Sequence, residues 1–341
     1  MQNSRRADVV KLTVRFLISA GLMIWLISGI EWNLALRLMK EGSLFYFFIA
    51  FIAIQLTVAT SIWKWQLLIS KSTTNPFNQS ISLWKLGRYY YIGLFFNNFL
   101  PGSVGGDVMR IMHLSKDIGM VKATTSVAFE RLTSGVALTA IVVFATLFMD
   151  SVRPFMLPIY TVASGLTLLF VLLNLWVKKQ AKIGDFEKSN PERSQKSNIT
   201  MWINKMNQAL VKLRETAAEY REKSKSWWVV IAVLSLLFQI GLAWINQLLF
   251  LGFGIEVGWL DLIVMISLIS FITMLPVSLN GIGVREASYI FFFKELGVPD
   301  EISVAVSLFF LLLVTVSSLF GGLFWLVERG KSSEAIGQQT N

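Results

Sequence analysis

Long apolar runs dominate the pattern of hydrophobic and polar positions in this chain. Six runs are long enough to cross a hydrocarbon core of about 30 Å as an α-helix. They are Leu12–Ile30, Leu44–Trp63, Leu132–Phe148, Phe155–Val177, Trp227–Phe253 and Ile302–Val327. Two further apolar stretches, Tyr89–Leu114 and Leu260–Phe293, contain Pro, several Gly and charged residues. The pattern predicts an all-α polytopic membrane protein with about six full spans and two interrupted segments.

The two interrupted segments carry the same short motif. Leu100–Arg110 reads LPGSVGGDVMR, and Leu275–Arg285 reads LPVSLNGIGVR. Leu, Pro, Ser, Gly and Arg recur at the same offsets, 175 residues apart. Pro and Gly interrupt helices, and a matched pair of broken segments in two halves of a membrane protein points to a transport site between internal repeats. The alternative is that five matches arise by chance in apolar sequence rich in Leu, Gly and Ser.

The distribution of Lys and Arg predicts which loops are cytoplasmic. The basic N-terminus and the loop Lys178–Ser226, with twelve Lys/Arg against six Asp/Glu, are expected inside. Basic residues also place both ends of the first interrupted segment inside: Lys64, Lys71, Lys85 and Arg88 before it, and Lys116, Lys122 and Arg131 after it. Acidic loops place both ends of the second outside. The charges therefore predict two re-entrant helical hairpins that enter from opposite faces.

Each half then consists of span, span, hairpin and span, in opposite orientation, which is an inverted-topology repeat. We expect one membrane domain over residues 1–331, with repeats at about 12–150 and 154–329 and both termini cytoplasmic. Residues 332–341 are predicted to be a disordered tail. The cytoplasmic loop 178–226 contains a predicted basic amphipathic helix, Thr200–Lys223, that either lies on the inner leaflet or packs on the bundle as a spacer.

Composition agrees with a membrane protein, since 54% of residues are hydrophobic and 15% are charged. The formal net charge of +10 comes from basic loops, so nucleic acid is not needed to explain it. The first run has the basic start of a signal peptide, but its exit at Ile27–Asn33 lacks a small-x-small cleavage pattern, so a retained span is expected. Without Cys there are no disulfides or thiolate metal sites. No phosphate-binding loop occurs, and no cofactor or metal is predicted.

Polar groups at membrane depth are costly, so those in or beside the hairpins are candidate substrate-binding residues. They are Asn98, Ser103, Asp107, Arg110, Glu130, Arg131, Ser278, Asn280, Arg285 and Glu286. Backbone amides freed by Pro and Gly, at the start of a helix, favour an anionic group. Arg110 and Arg285 from the two hairpins would add bidentate phosphate contacts. This arrangement suits a lipid phosphate, and no catalytic residue is predicted.

A structural role is the alternative for each of these side chains. Asp107 would cap the helix that begins at Val108, and Arg110 would snorkel to the cytoplasmic interface. Glu130–Arg131 and Arg285–Glu286 would form structural ion pairs. Asn97 and Asn98 would form hydrogen bonds between helices.

Three sequence blocks resemble the transmembrane, flippase-like domain of the lysylphosphatidylglycerol synthase (multiple peptide resistance factor) family. They are Asn98–Arg110 (N-x-x-P-G-x-x-G-G-D-x-x-R), Glu130–Arg131 and Pro276–Glu286 (P-x-x-x-x-G-x-G-x-R-E), in the family's order. The resemblance covers roughly Leu12–Arg329. It implies an inner-membrane protein that moves, or is associated with moving, a polar-headed lipid between leaflets. It also implies candidate roles for Asp107, Arg110, Glu130, Arg131, Arg285 and Glu286.

Members of that family with two parts carry a soluble aminoacyl-transferring domain after the membrane part. This sequence ends at Asn341 without one, so aminoacyl transfer is not expected. Free-standing relatives are linked to polyprenol-sugar and envelope glycolipid pathways, which leaves the lipid open. Two alternatives follow: a membrane-embedded transferase for a polyprenyl-phosphate sugar, with Asp107 or Glu130 as base or metal ligand, or a partner subunit of a separate lipid-synthesising enzyme or glycosyltransferase. The single His and the lack of a D-x-D pair weigh against the transferase.

The topology is testable because the chain has no Cys. Single Cys residues at Ser72, Lys116 and Ser194 should be protected from an impermeant thiol reagent in intact cells, because these positions are expected inside. Cys residues at Asp150, Glu256 and Asp300 should be labelled. Labelling at Lys116 would contradict the first hairpin and, with it, the inverted repeat.

Overall fold

A computed structural model describes residues 43–69, 81–98, 104–148, 219–274 and 281–339, which are helical or connecting and contain no strand. The α-helices in these ranges are α1 (Leu44–Ile69), α2 (Leu83–Asn97), α3 (Val104–Ile118), α4 (Met120–Phe148), α5 (Lys225–Gly252), α6 (Trp259–Met274), α7 (Val284–Lys294) and α8 (Asp300–Gln339). A 3-10 turn, Glu219–Glu222, precedes α5. The predicted spans Leu12–Ile30 and Phe155–Val177, and most of the predicted helix Thr200–Lys223, lie outside the described residues.

Four helices are long and apolar enough to span a membrane: α1, α4, α5 and α8. They confirm the four predicted spans that fall in the described ranges. Helix α4 begins at Met120, well before the predicted Leu132, so Glu130 and Arg131 lie within the helix rather than at its start. Helix α8 continues to Gln339, so residues 332–339 are helical where the sequence predicts a disordered tail.

Helices α2 and α3 pack antiparallel and return to the end from which they entered. The contacting pairs along them are Lys85–Asp117, Tyr89–His113, Gly93–Arg110 and Asn97–Gly106. Each helix has 15 residues and rises about 22 Å, which is less than the hydrocarbon core. Gly93 and Gly106 permit this approach, because a Cβ on Gly106 would overlap the carbonyl oxygen of Gly93. The tip, residues 99–103, is outside the described residues.

Helices α6 and α7 are also short, with 16 and 11 residues. They also pack together, and Thr273 near the end of α6 lies beside Gly281 just before α7. Gly281 and Gly283 have φ of +77° and +82°, in the left-handed region that favours glycine. The Gly283 amide donates to the Glu286 carboxylate at 2.6 Å, which fixes the start of α7. The tip, residues 275–280, is outside the described residues.

Helices α1 and α5 cross antiparallel at the centre of the bundle. The Ser43 amide donates to the Gly252 carbonyl at 2.9 Å at one end, and Leu68 packs with Ile231 at the other. Between them, Thr57 lies against Gly241, where a side chain would not fit. The small residue allows the two backbones to approach closely, as is common between helices in membranes.

The helix pairs that pack together repeat between the two halves. In the first half α2 packs on α3, α3 on α4 and α1 on α2, and in the second α6 packs on α7, α7 on α8 and α5 on α6. The contacts between halves match as well, since α8 packs on α2 as α4 packs on α6. If each of α1–α4 is interchanged with its counterpart in α5–α8, every contacting helix pair named here becomes another contacting pair.

Candidate functional site

Five charged side chains from α1, α3 and α4 form one continuous network, in which Lys64, Arg110 and Glu130 are buried and Asp107 and Arg131 are partly exposed. Arg131 pairs with Asp107, Asp107 with Arg110, Arg110 with Glu130, and Glu130 with Lys64, all with nitrogen–oxygen distances of 2.8 to 3.4 Å. The motif in α3 supplies Asp107 and Arg110, and the E-R pair in α4 supplies Glu130 and Arg131. The network therefore joins two of the three predicted sequence blocks.

Arg110 lies at the centre of the network and is only 4% exposed. Its guanidinium carbon lies 4.2 Å from the Trp65 ring centroid and 4.4 Å from that of Tyr90, so both rings are within cation–π distance of the guanidinium group. Nη1 is 3.3 Å from both Asp107 and Glu130. Cation–π contacts and two carboxylates together stabilise a charge that burial would otherwise make costly. Arg110 is thus enclosed between helices rather than snorkelling to an interface.

Lys64 is a member of the network that the sequence reasoning missed. Its side chain is fully buried in α1, although the charge distribution assigned it to a cytoplasmic loop. The ammonium group lies 3.4 Å from the Glu130 carboxylate and donates to the hydroxyl groups of Ser134 and Ser235. The signal in the sequence was that apolar residues continue beyond Lys64 to Ile69, which indicates a helix that extends past the charge.

A cavity of about 240 Å³ lies beside this network, between α4, α5, α6, α7 and α8. Arg131 reaches it from the first half of the chain and Arg285 from the second. The other polar residues that line it are Ser134, Asn246, Ser270, Thr273 and Tyr289, and the remaining lining is apolar or Gly. The described lining includes no Asp or Glu.

The two arginines at the cavity are held in different ways. Arg131 makes a bidentate pair with Asp107, with Nε 2.8 Å and Nη2 3.1 Å from the two carboxylate oxygens. Arg285 lies in the first turn of α7, with its guanidinium carbon 5.6 Å from the Phe310 ring centroid. The network has three cations and two anions, and the second half adds Arg285 at the cavity wall and the buried carboxylate of Glu286 next to it in sequence, so one positive charge is in excess. Because charges interact strongly where water is scarce, this cavity favours an anion.

The remaining predicted residues lie apart from the cavity lining. Glu286 is fully buried and accepts hydrogen bonds from the Gly283 amide and the Ser307 hydroxyl, so it holds the start of α7 against α8. Asn98 donates to the Ser318 hydroxyl at 2.7 Å and joins α2 to α8. Arg131, rather than Arg110, is the arginine that shares the cavity with Arg285. Ser103, Ser278 and Asn280 lie outside the described residues.

No group of three or more His, Asp or Glu side chains suitable for a metal ion occurs in the described part of the chain. The polar groups in the described wall of the cavity are guanidinium, hydroxyl and amide groups. These groups donate hydrogen bonds to oxyanions.

Lys64→Met should destabilise the protein, because Glu130 would lose one of its cations inside the bundle. Breaking a buried ion pair from one side costs about 3–5 kcal/mol. We expect a lower thermal unfolding temperature in detergent, measured by tryptophan fluorescence, and partial recovery when Glu130→Gln is added. Lys294→Met is the control, because its surface pair with Asp300 should contribute little. Equal unfolding temperatures for Lys64→Met and Lys294→Met would contradict a structural role for the pair.

Comparison with known proteins agrees with the motifs. Residues 12–321 match the sequence family described as the lysylphosphatidylglycerol synthase TM region. No curated protein and no solved structure matches the chain. The matched range includes both hairpins, the whole buried network and both arginines of the cavity. The chain therefore belongs to the family of lysylphosphatidylglycerol synthase transmembrane regions.

Proposed function

We propose that this protein is a flippase-like transporter that moves an anionic, phosphate-bearing lipid between the leaflets of the inner membrane, with both of its termini in the cytoplasm. Membership of the family supports a lipid-related function in a membrane. The observation that carries the proposal is that Arg131 and Arg285, from the two halves of the chain, line one cavity that has no described Asp or Glu in its wall.

An inverted-topology repeat is part of this proposal, and three observations support it. The central helices α1 and α5 are equivalent in chain order and run antiparallel. Helix neighbours are preserved when the two halves are exchanged. The α2–α3 hairpin begins beside the second half of α8, since Arg88 pairs with Glu328, whereas the end of α7 lies near the end of α5, since Phe250 packs on Phe293. The two hairpins thus approach the bundle from opposite ends, as transporters built from inverted repeats require.

The size and chemistry of the cavity fit a lipid headgroup. A cavity of about 240 Å³ accommodates a phosphate with a small substituent. Two guanidinium groups can each bind a phosphate with paired hydrogen bonds. Hydroxyl groups of Ser134 and Thr273 and the amide of Asn246 provide further polar contacts. The acyl chains would then remain in the surrounding lipid while the headgroup crosses.

The buried network has a defined role in this proposal. Asp107 orients Arg131 toward the cavity through the bidentate pair, and Arg110 keeps Asp107 in place. Lys64 and Glu130 anchor that assembly to α1 and α5. Of the charged residues, only Arg131 and Arg285 would touch the lipid, and the others would be positioning residues.

Arg285→Ala should abolish lipid exchange while the protein remains folded, because the cavity would lose one of its two phosphate-binding groups. Arg285→Lys should restore little activity, since an ammonium group lacks the bidentate geometry. The assay is leaflet exchange of fluorescent phosphatidylglycerol in proteoliposomes, followed by chemical quenching of the outer leaflet. Folding is checked by thermal unfolding and size-exclusion chromatography.

Lys294→Ala is the matched control, because Lys294 is an exposed cation on the same helix and lies outside the cavity. It should exchange lipid at the unsubstituted rate. Normal exchange by a folded Arg285→Ala protein would contradict a phosphate site at Arg285. Absence of exchange by the unsubstituted protein, with fluorescent phosphatidylglycerol and with a fluorescent polyprenyl phosphate, would contradict the flippase itself.

A further inference from the structure

We infer that the contact between α2 and α8 is a second headgroup cleft, closed in this structure, which opens when the cavity between α4 and α6 closes. We call it the closed cleft and define it by Tyr91 and Asn98 on α2 and Ser318 and Gly321 on α8. It would take the same phosphate-bearing lipid headgroup as the cavity. This inference rests on the proposed function and extends it to a pair of alternating sites.

The closed cleft occupies the place in the first half that the cavity occupies in the second. The 175-residue offset of the repeated motif relates Tyr91 to Ile266, Asn98 to Thr273 and Arg110 to Arg285. Ile266, Thr273 and Arg285 all line the cavity. Their partners across the cavity are on α4, whereas Tyr91 and Asn98 are in contact with α8. Helix α8 packs on α2 of the first hairpin, and α4 packs in the same way on α6 of the second hairpin.

A glycine in each of these two helices shows how closely the helix packs on its hairpin at that point. Gly321 on α8 is so close to α2 that a Cβ would overlap the Tyr91 carbonyl group. Gly135 on α4 lines the cavity, as does Ile266, the counterpart of Tyr91, and a Cβ on Gly135 would meet nothing within 4 Å. The α8–α2 pair is thus in direct backbone contact at Gly321, whereas the α4–α6 pair, although in contact elsewhere, has the cavity beside it at Gly135.

The closed cleft also contains the groups expected of a headgroup site. Asn98 donates to Ser318, and the Tyr91 hydroxyl donates at 2.6 Å to Gln55, whose amide donates to Ser317 at 3.0 Å. Ser317 and Ser318 are both fully buried. Uncharged polar groups that satisfy one another at membrane depth can exchange these hydrogen bonds for bonds to a lipid headgroup when the helices separate.

The test uses the Cys-free chain with a single Ser318→Cys substitution and a small thiol reagent. If the closed cleft opens, the buried Cys should be labelled. Thr57→Cys is the control, because Thr57 is buried at the crossing of α1 and α5, the helix pair that maps onto itself when the halves exchange. Thr57→Cys should remain protected. Equal protection of both Cys residues would overturn the inference.

Coupling between the two sites is tested by adding Gly135→Leu to the Ser318→Cys protein. The leucine fits the open cavity but would prevent α4 from approaching α6, so labelling of the Cys and exchange of fluorescent phosphatidylglycerol should both be lost. Val136→Leu is the matched control, since Val136 is the neighbouring residue and is 69% exposed. Val136→Leu should leave both the labelling of the Cys and the exchange of lipid unchanged. If Gly135→Leu does not slow labelling of the Cys, the coupling is overturned. This readout does not depend on lipid movement. The proposed function is therefore judged separately, by the exchange assay.

Discussion

Pairing of buried charges inside an apolar bundle is the constraint on which this structure depends. A carboxylate such as Glu130 cannot be left alone among membrane helices, since the cost of removing an unpaired ion from water is several kcal/mol. Lys64 and Arg110 approach it from two other helices, and their positions fix how α1, α3 and α4 pack. Arg131 follows Glu130 directly in sequence, so the same packing presents its guanidinium group at the cavity wall.

The positions of the glycines complement the positions of the charges. Where Gly93, Gly106 and Gly321 lie, two backbones are close enough to exclude a side chain, and Gly241 lies against the Thr57 side chain. Between helices in a membrane, such close approach replaces the hydrophobic effect as a source of association. The cavity lies where one helix pair lacks this approach, at Gly135. Close backbone contact and open space are therefore distributed unequally between the two halves of the chain.

Much of this architecture could be predicted from sequence because membrane helices are defined by length and apolarity. The motif, its repetition and the E-R pair directed attention to Asp107, Arg110, Glu130 and Arg131, which the structure joins in one network. The sequence predicted that Arg110 and Arg285 share a site, whereas in the structure Arg131 lines the cavity with Arg285. Which arginine faces a cavity depends on helix rotation and on aromatic neighbours such as Trp65 and Tyr90, and a motif does not encode these.

Lys64 shows a second limit of sequence reasoning. A lysine near the end of an apolar run is usually counted as a loop charge, because burial is costly unless a partner is present. Its partner, Glu130, lies 66 residues away, so nothing local to Lys64 indicates the pair. Glu286 is a similar case, because its role at the start of α7 depends on the left-handed conformation of Gly283.

The most direct test of the central claim is a high-resolution structure of the protein in nanodiscs that contain phosphatidylglycerol. The account predicts headgroup density in the cavity, with phosphate oxygens within about 3 Å of guanidinium nitrogens of both Arg131 and Arg285. A cavity that is filled by protein side chains, or that holds an acyl chain with no headgroup near either arginine, would contradict it.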